Sequence, residues 1–179
     1  YGSLSLVNYL SKKIQKNIVF FGSHNDFYLL KRAEKICKNI FLVPGVNNKA
    51  SYMKKHLNVI TKNKIDIILP NSDREVFLFS KFKNKINSKI FLPDHKDIEI
   101  CQNKKKFLNF LRINKLNHPY FININKESDI DFFFKNKKTK KFYIRITSET
   151  SEGAYGAAIL ENKKQLGLWL EIWKNFKNE

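Results

Sequence analysis

The sequence predicts an α/β fold: an open, mostly parallel sheet with helices on both faces, followed by a small α+β unit. Three observations predict it. Through the first hundred residues, short apolar runs rich in β-branched or aromatic side chains alternate with amphipathic stretches. Each run stops at a Gly or Pro, as a buried strand does on leaving a sheet. Beyond about residue 101 the alternation gives way to a different pattern, with two strand-like segments flanking a polar loop.

The runs are Ile18 to Phe21, Ile40 to Val43, Ile65 to Leu69 and Ile90 to Leu92. Between and before them, apolar residues recur at helical spacing: Leu4, Val7, Leu10 and Ile14, then Phe27, Leu30 and Ala33. Met53, Leu57 and Ile60 follow, and then Val76, Phe79 and Phe82. Strand and helix alternating at this interval indicate βαβ units and hence parallel pairing. The chain enters its first helix directly from Tyr1-Gly2-Ser3. A doubly wound domain normally has a strand there with a Gly-rich turn, so a first strand is expected to be missing before Gly2.

A boundary is expected near Asp97 to Asn103, giving one domain over 1–100 and a second over 101–179. In the second, Lys104 to Asn114 reads as a helix with Phe107, Leu108 and Leu111 on its apolar side. Pro119 opens an extended stretch, Tyr120 to Ile124, and a helical segment follows near Ser128 to Phe134. Phe142 to Ile146 and Ala157 to Leu160 read as an antiparallel hairpin. A closing helix, Lys163 to Phe176, places Leu166, Leu170 and Trp173 on one face. Trp169 and Trp173, four apart on that helix, read as packing residues.

With 42% hydrophobic and 14% aromatic residues, the 179-residue chain has ample material for a core. No apolar run reaches the roughly 18 residues that span a bilayer, so no membrane partner is expected. Cys37 and Cys101 imply no disulfide framework, and a reducing cytoplasm is the expected setting. The net charge of +18 raises the question of nucleic acid. Only four of the 34 basic residues are Arg, and the lysines are scattered, so nucleic acid is not the expected partner. The densest cluster, Lys137, Lys138, Lys140 and Lys141, reads as a solvated hairpin end. His24, His56, His95 and His118 are isolated from Cys and from one another, so metal-ligand spacing is absent. Neither a Gly-x-Ser-x-Gly elbow nor a Walker-type Gly-Lys-Ser/Thr occurs.

Three segments carry residues suited to chemistry. In Ile67-Ile68-Leu69-Pro70-Asn71-Ser72-Asp73-Arg74-Glu75, an apolar run ends in Pro and an Asp-x-Glu opens a helix. Asp73 and Glu75 would stand at the carboxyl end of a parallel strand, where α/β sheets gather ligands; equally, they suit a helix N-terminus, whose dipole they complement. Ile98-Glu99-Ile100-Cys101-Gln102-Asn103-Lys104 leads into a helix, followed by Leu116-Asn117-His118-Pro119. Phe142-Tyr143-Ile144-Arg145-Ile146 is followed by Ser151-Glu152-Gly153-Ala154-Tyr155-Gly156-Ala157-Ala158-Ile159. There a single Arg interrupts an apolar strand, and burying a guanidinium is costly unless an anion pairs with it. Gly153 and Gly156 permit positive φ and close backbone approach, which would let their N–H groups cover a phosphate. A plain hairpin with an outward-facing Arg is the competing reading.

In this order, the three segments resemble the ATP-grasp superfamily of ligases, particularly its carbamoyl-phosphate-synthase-like branch. The resemblance covers nearly the whole chain and rests on joint order and spacing. It implies that residues 1–100 form a Rossmann-like pre-ATP-grasp domain and 101–179 the first ATP-grasp subdomain, incomplete here. It further implies an ATP-dependent reaction that activates a small carboxylate, or bicarbonate, as an acyl phosphate, which an amine or similar nucleophile then attacks. Lys104 and Arg145 would contact the nucleotide, and Ser151, Glu152, Gly153, Ala154, Tyr155 and Gly156 would form its cover. Asp73 and Glu75 would lie at the substrate side or at a domain interface. ATP and Mg²⁺ are the implied cofactors. The Mg²⁺ ligands are expected beyond Glu179, so these 179 residues alone are expected to turn over no ATP. A homo-oligomer is compatible with the reading. The sequence departs from the family pattern in four places: Asn103 replaces an Asp, Asn117 stands near a usual Gly, the loop has fewer glycines, and Ile146 and Thr147 occupy the place of a frequent Pro. A non-catalytic module holding a nucleotide or sugar nucleotide is the alternative from another class.

Overall fold

A computed structural model of the protein describes residues 2–13, 18–136, 139–147 and 156–176. The chain is mixed α/β and divides into two compact units, Tyr1–Ile98 and Glu99–Glu179.

The first unit opens with α1 (Gly2–Lys13), whose last turn carries Lys12 and Lys13, cations that complement the carbonyl end of the helix dipole. A parallel βαβ turn follows: β1 (Phe21–His24), α2 (Phe27–Lys31) and β2 (Asn39–Leu42), with Phe21 opposite Asn39 and His24 opposite Leu42. Asp26 caps α2, its carboxylate accepting from the N–H groups of Tyr28 and Leu29. After α3 (Lys49–Lys62) comes a second parallel pair, β3 (Ile67–Ile68) and β4 (Lys89–Ile90). It is connected through α4 (Asp73–Lys81) and a short 3₁₀ turn, Lys83–Lys85. The helix α5 (His95–Gln102) contains the division between the units.

The expectation of parallel βαβ units is met, while one open sheet with helices on both faces is not displayed. The described strands form three two-stranded sheets. The β3–β4 ladder is only two residues long. What unites the first unit is side-chain packing: Tyr52, Met53 and Ile60 of α3 meet Leu78 and Phe79 of α4, with Val43, Ile86 and Ile90 completing a buried cluster. Each such side chain contributes about 1.5–3 kcal/mol by leaving water.

The strand boundaries move from those expected. The first ladder starts at Phe21, and Ile18 to Phe20 lie outside it. Gly22, read as a strand terminator, is inside the strand. A Cβ there would sit 3.4 Å from Cys37 Sγ and 3.5 Å from the Ala33 methyl, ordinary van der Waals contact, so the segment after α2 packs closely on the strand and leaves room for a methyl but little more. Ala33 accordingly lies in the turns beyond α2 rather than within it.

The second unit contains α6 (Lys104–Ile113), α7 (Glu127–Asn136), β5 (Phe142–Arg145), β6 (Ala157–Leu160) and α8 (Lys163–Phe176). The hairpin β5–β6 is antiparallel, as expected, with Arg145 opposite Ala157. The ring of Phe142 meets those of Phe133 and Phe134 edge-on at centroid distances of 5.0 and 5.3 Å. Leu166, fully buried, anchors α8, and Lys163 at its start donates to Asp131 of α7 at 2.6 Å. Trp169 and Trp173 pack against each other at 6.0 Å.

Candidate functional site

Chemistry-bearing residues are brought together in the first unit, whereas the second holds Arg145 and Lys104 on separate elements. In the first unit the site begins at the start of α4. Ser72 is the N-cap: its hydroxyl accepts from the Glu75 N–H at 3.2 Å, and the Glu75 carboxylate reaches back to the N–H groups of Ser72 and Asn71, at 3.1 and 3.0 Å. This reciprocal arrangement satisfies donors that a helix start otherwise leaves unpaired. The other oxygen of Glu75 accepts from the Tyr52 hydroxyl at 2.6 Å. Asp73, the first residue of the helix, is exposed at the positive end of its dipole.

The network continues from Tyr52 to its neighbour one turn on. His56 is buried, its ring 4.2 Å from that of Tyr52 and edge-on to Phe79 at 5.4 Å. Its Nδ1 lies 3.0 Å from the carbonyl oxygen of Tyr52, and its Nε2 lies 3.0 Å from Ser23 Oγ. A carbonyl can only accept, so Nδ1 carries the proton of the neutral ring and Nε2 accepts from the Ser23 hydroxyl. Ser23 itself is exposed on β1. Arg74, beside Glu75, donates to the side chain of Asn47 in the segment between β2 and α3. The segments leaving β2 and β3 are thus tied through Asn47–Arg74 and Tyr52–Glu75.

The electrostatics follow from burial and bonding. Burial opposes ionisation of Glu75, but the donors Tyr52, Asn71 and Ser72 outweigh it and hold the carboxyl below its ordinary range. Burial next to that charge pushes the Tyr52 phenol up. Desolvation depresses His56, against opposing contributions from the Tyr52 carbonyl and the Glu75 charge, and favours the neutral imidazole.

In the second unit Arg145 ends β5 half-buried, with its Nε out of solvent reach and the small Ala157 as its cross-strand partner. One residue on, the Ile146 N–H donates to the Gly156 carbonyl at 2.9 Å. Gly156 has φ +62°, and a Cβ on it would stand 2.8 Å from Ile146 Cδ1. The glycine is therefore demanded by the hairpin's own geometry. Ser151, Glu152, Gly153, Ala154 and Tyr155 lie outside the described residues, as do Lys137 and Lys138. Lys104 is the first residue of α6, half-buried; Asn103 before it is the N-cap, its side chain accepting from the Lys106 N–H at 3.0 Å. Asn and Asp cap about equally well, so the departure at residue 103 leaves this helix start intact.

The structure brings Glu75 into contact with Tyr52, and through it close to His56 and Ser23. None of these three was singled out for chemistry from the sequence. These residues come from three elements, β1, α3 and α4; helical spacing links Tyr52 to His56, and no spacing rule links that pair to residue 23 or 75. The available signal was a polar Ser-His pair ending an apolar run. Among the described residues, no group of three or more His, Cys, Asp or Glu side chains is placed to hold a metal ion, and no helix is long and apolar enough to cross a membrane. Comparison of the chain with protein-family models and with curated proteins gives no match.

Proposed function

We propose that the chain is the pre-ATP-grasp domain and first ATP-grasp subdomain of an ATP-dependent ligase that joins a carboxylate to an amine, or of a carbamoyl-phosphate-synthase-like enzyme. The observation that carries this reading is Arg145: a half-buried guanidinium at the end of a hairpin strand, opposite an alanine, where a loop begins. A guanidinium in such a position suits a phosphate group, which it can engage with two parallel hydrogen bonds. In support, two parallel βαβ units precede the hairpin, in the order the resemblance requires. The finer expectation, that the two parallel pairs belong to one open sheet, is part of the same proposal.

In this reading Arg145 and Lys104 orient the triphosphate and offset its charge, and the segment 151–156 covers it against water. ATP supplies the phosphoryl group that activates the carboxylate. Mg²⁺, when bound, offsets phosphate charge, and no described residue of this chain is assigned to it.

The test is titration of the purified chain with ATP and Mg²⁺ by calorimetry. Saturable binding is expected, weakened about tenfold or more in Arg145→Gln and less in Lys104→Ala, since a charged hydrogen-bond pair contributes about 1.5–3 kcal/mol. Absence of binding, or equal affinity in folded Arg145→Gln, rejects the assignment. A duplex DNA titrated across a salt series in parallel separates nucleotide recognition from simple polyanion attraction, which falls steeply with salt.

A further inference from the structure

We propose that Ser23 is a nucleophile activated by His56, forming a second reactive site, independent of the nucleotide reading, that accepts acyl groups from carboxylic esters or thioesters. The geometry points to it. Ser23 is exposed on β1 while its base is buried on α3, so a substrate can approach the serine from the solvent side. The Nδ1 bond to the Tyr52 carbonyl fixes both the ring's orientation and its tautomer, leaving the Nε2 lone pair aimed at Ser23 Oγ at 3.0 Å. Rings on two sides, Tyr52 and Phe79, keep the imidazole from turning away.

The charge that would develop is provided for. When Nε2 takes the hydroxyl proton the ring becomes an imidazolium, and the Glu75 carboxylate is near enough to favour that form. Tyr52 from α3 and Glu75 from α4 are the titratable groups facing the ring, and Ser23 meets it from β1. The base is neutral near pH 7 because burial favours that form, which is the state a proton acceptor needs.

The chemistry balances with water as the second reactant. Ser23 Oγ bonds to the ester carbonyl carbon as its proton passes to His56 Nε2. The tetrahedral adduct then collapses, the bond from carbon to the leaving oxygen or sulfur breaks, and His56 returns the proton to that leaving group. Water attacks the acyl-serine next, giving a proton to Nε2. The Ser23 oxygen leaves the carbon and recovers that proton, and the free acid departs.

The experiment uses the whole chain and a fluorophosphonate probe, with the modified peptide located by mass spectrometry. An adduct on Ser23 is expected, absent in Ser23→Ala and formed about a hundredfold or more slowly in His56→Gln, the lower end of what a positioned general base contributes. No adduct on Ser23, or an unchanged rate in a His56→Gln variant that retains its circular dichroism, overturns the proposal. Because His56→Gln removes a buried ring, a second measurement keeps His56. In Ser23→Cys combined with Cys101→Ser, iodoacetamide alkylation is followed against pH. A thiol paired with this imidazole should stay reactive well below the usual thiol range of about 8.5, whereas a profile centred there overturns the pairing.

Discussion

The Tyr52 hydroxyl donates to Glu75 Oε1 at 2.6 Å, joining the first turn of α3 to the first turn of α4. The same carboxylate closes the capping box of α4, so one side chain serves a helix start and a contact between helices. Tyr52→Phe should cost about 1 kcal/mol, and Glu75→Gln, which turns an amide N–H₂ toward donors, about 1–3 kcal/mol. In urea titrations of both single variants and the double variant, the two losses should be less than additive. Additive losses would mean that the pair does not interact.

Acid stability carries the sign of the Glu75 shift. Its carboxyl is held below the ordinary range in the folded chain, so the unfolded chain binds the proton first as pH falls. The contribution is fully present above about pH 5 and is lost as pH drops through about 4 and below. Glu75→Gln should flatten that limb of the stability curve relative to the parent chain.

His56 acts in a higher window. It is depressed by burial, so between its folded value and the unfolded value of about 6.5 the unfolded chain again holds more protons. Stability should therefore fall on acidification from about pH 7.5 to 5.5, and the fall should be shallower in His56→Gln. Denaturant midpoints in matched buffers measure this. Equal slopes in the two proteins would place the titrating group elsewhere.

The two glycines that shape strands predict opposite outcomes. Gly156→Ala meets both φ +62° and a contact of 2.8 Å with Ile146, and should cost about 1–3 kcal/mol. Adding Ile146→Ala should recover the steric part and leave the backbone strain. Gly22→Ala finds its nearest neighbour at 3.4 Å and no positive φ, and should change the melting temperature little. Gly22→Leu has no room and should destabilise clearly.

At the start of α6, Asn103→Asp should preserve stability while Asn103→Ala should lose about 1 kcal/mol, because the cap bond to the Lys106 N–H needs only a side-chain oxygen. Thermal melts distinguish the two.

Local periodicity made much of the fold legible. The spacing of Met53, Leu57 and Ile60 and of Leu166, Leu170 and Trp173 predicted helices that the structure contains, because a helix's buried stripe is written at intervals of three and four. The βαβ order predicted parallel pairing, and the flanked polar loop predicted the β5–β6 hairpin. Where Gly22 was concerned, the sequence misled: a missing side chain signals a turn and a close contact equally, and only the neighbours Ala33 and Cys37 decide which.

By itself, the sequence determined the alternation of strands and helices, the starts of α4, α6 and α8 and the placing of Arg145 on a strand, since each depends on residues within a few positions of one another. Tertiary structure alone decided that Ser23, Tyr52, His56 and Glu75 form one hydrogen-bonded chain. It likewise decided which of the described strands pair with which. Contacts between residues 23 and 56, or 52 and 75, depend on how separate elements stack as they bury their apolar faces, and no local spacing encodes that stacking.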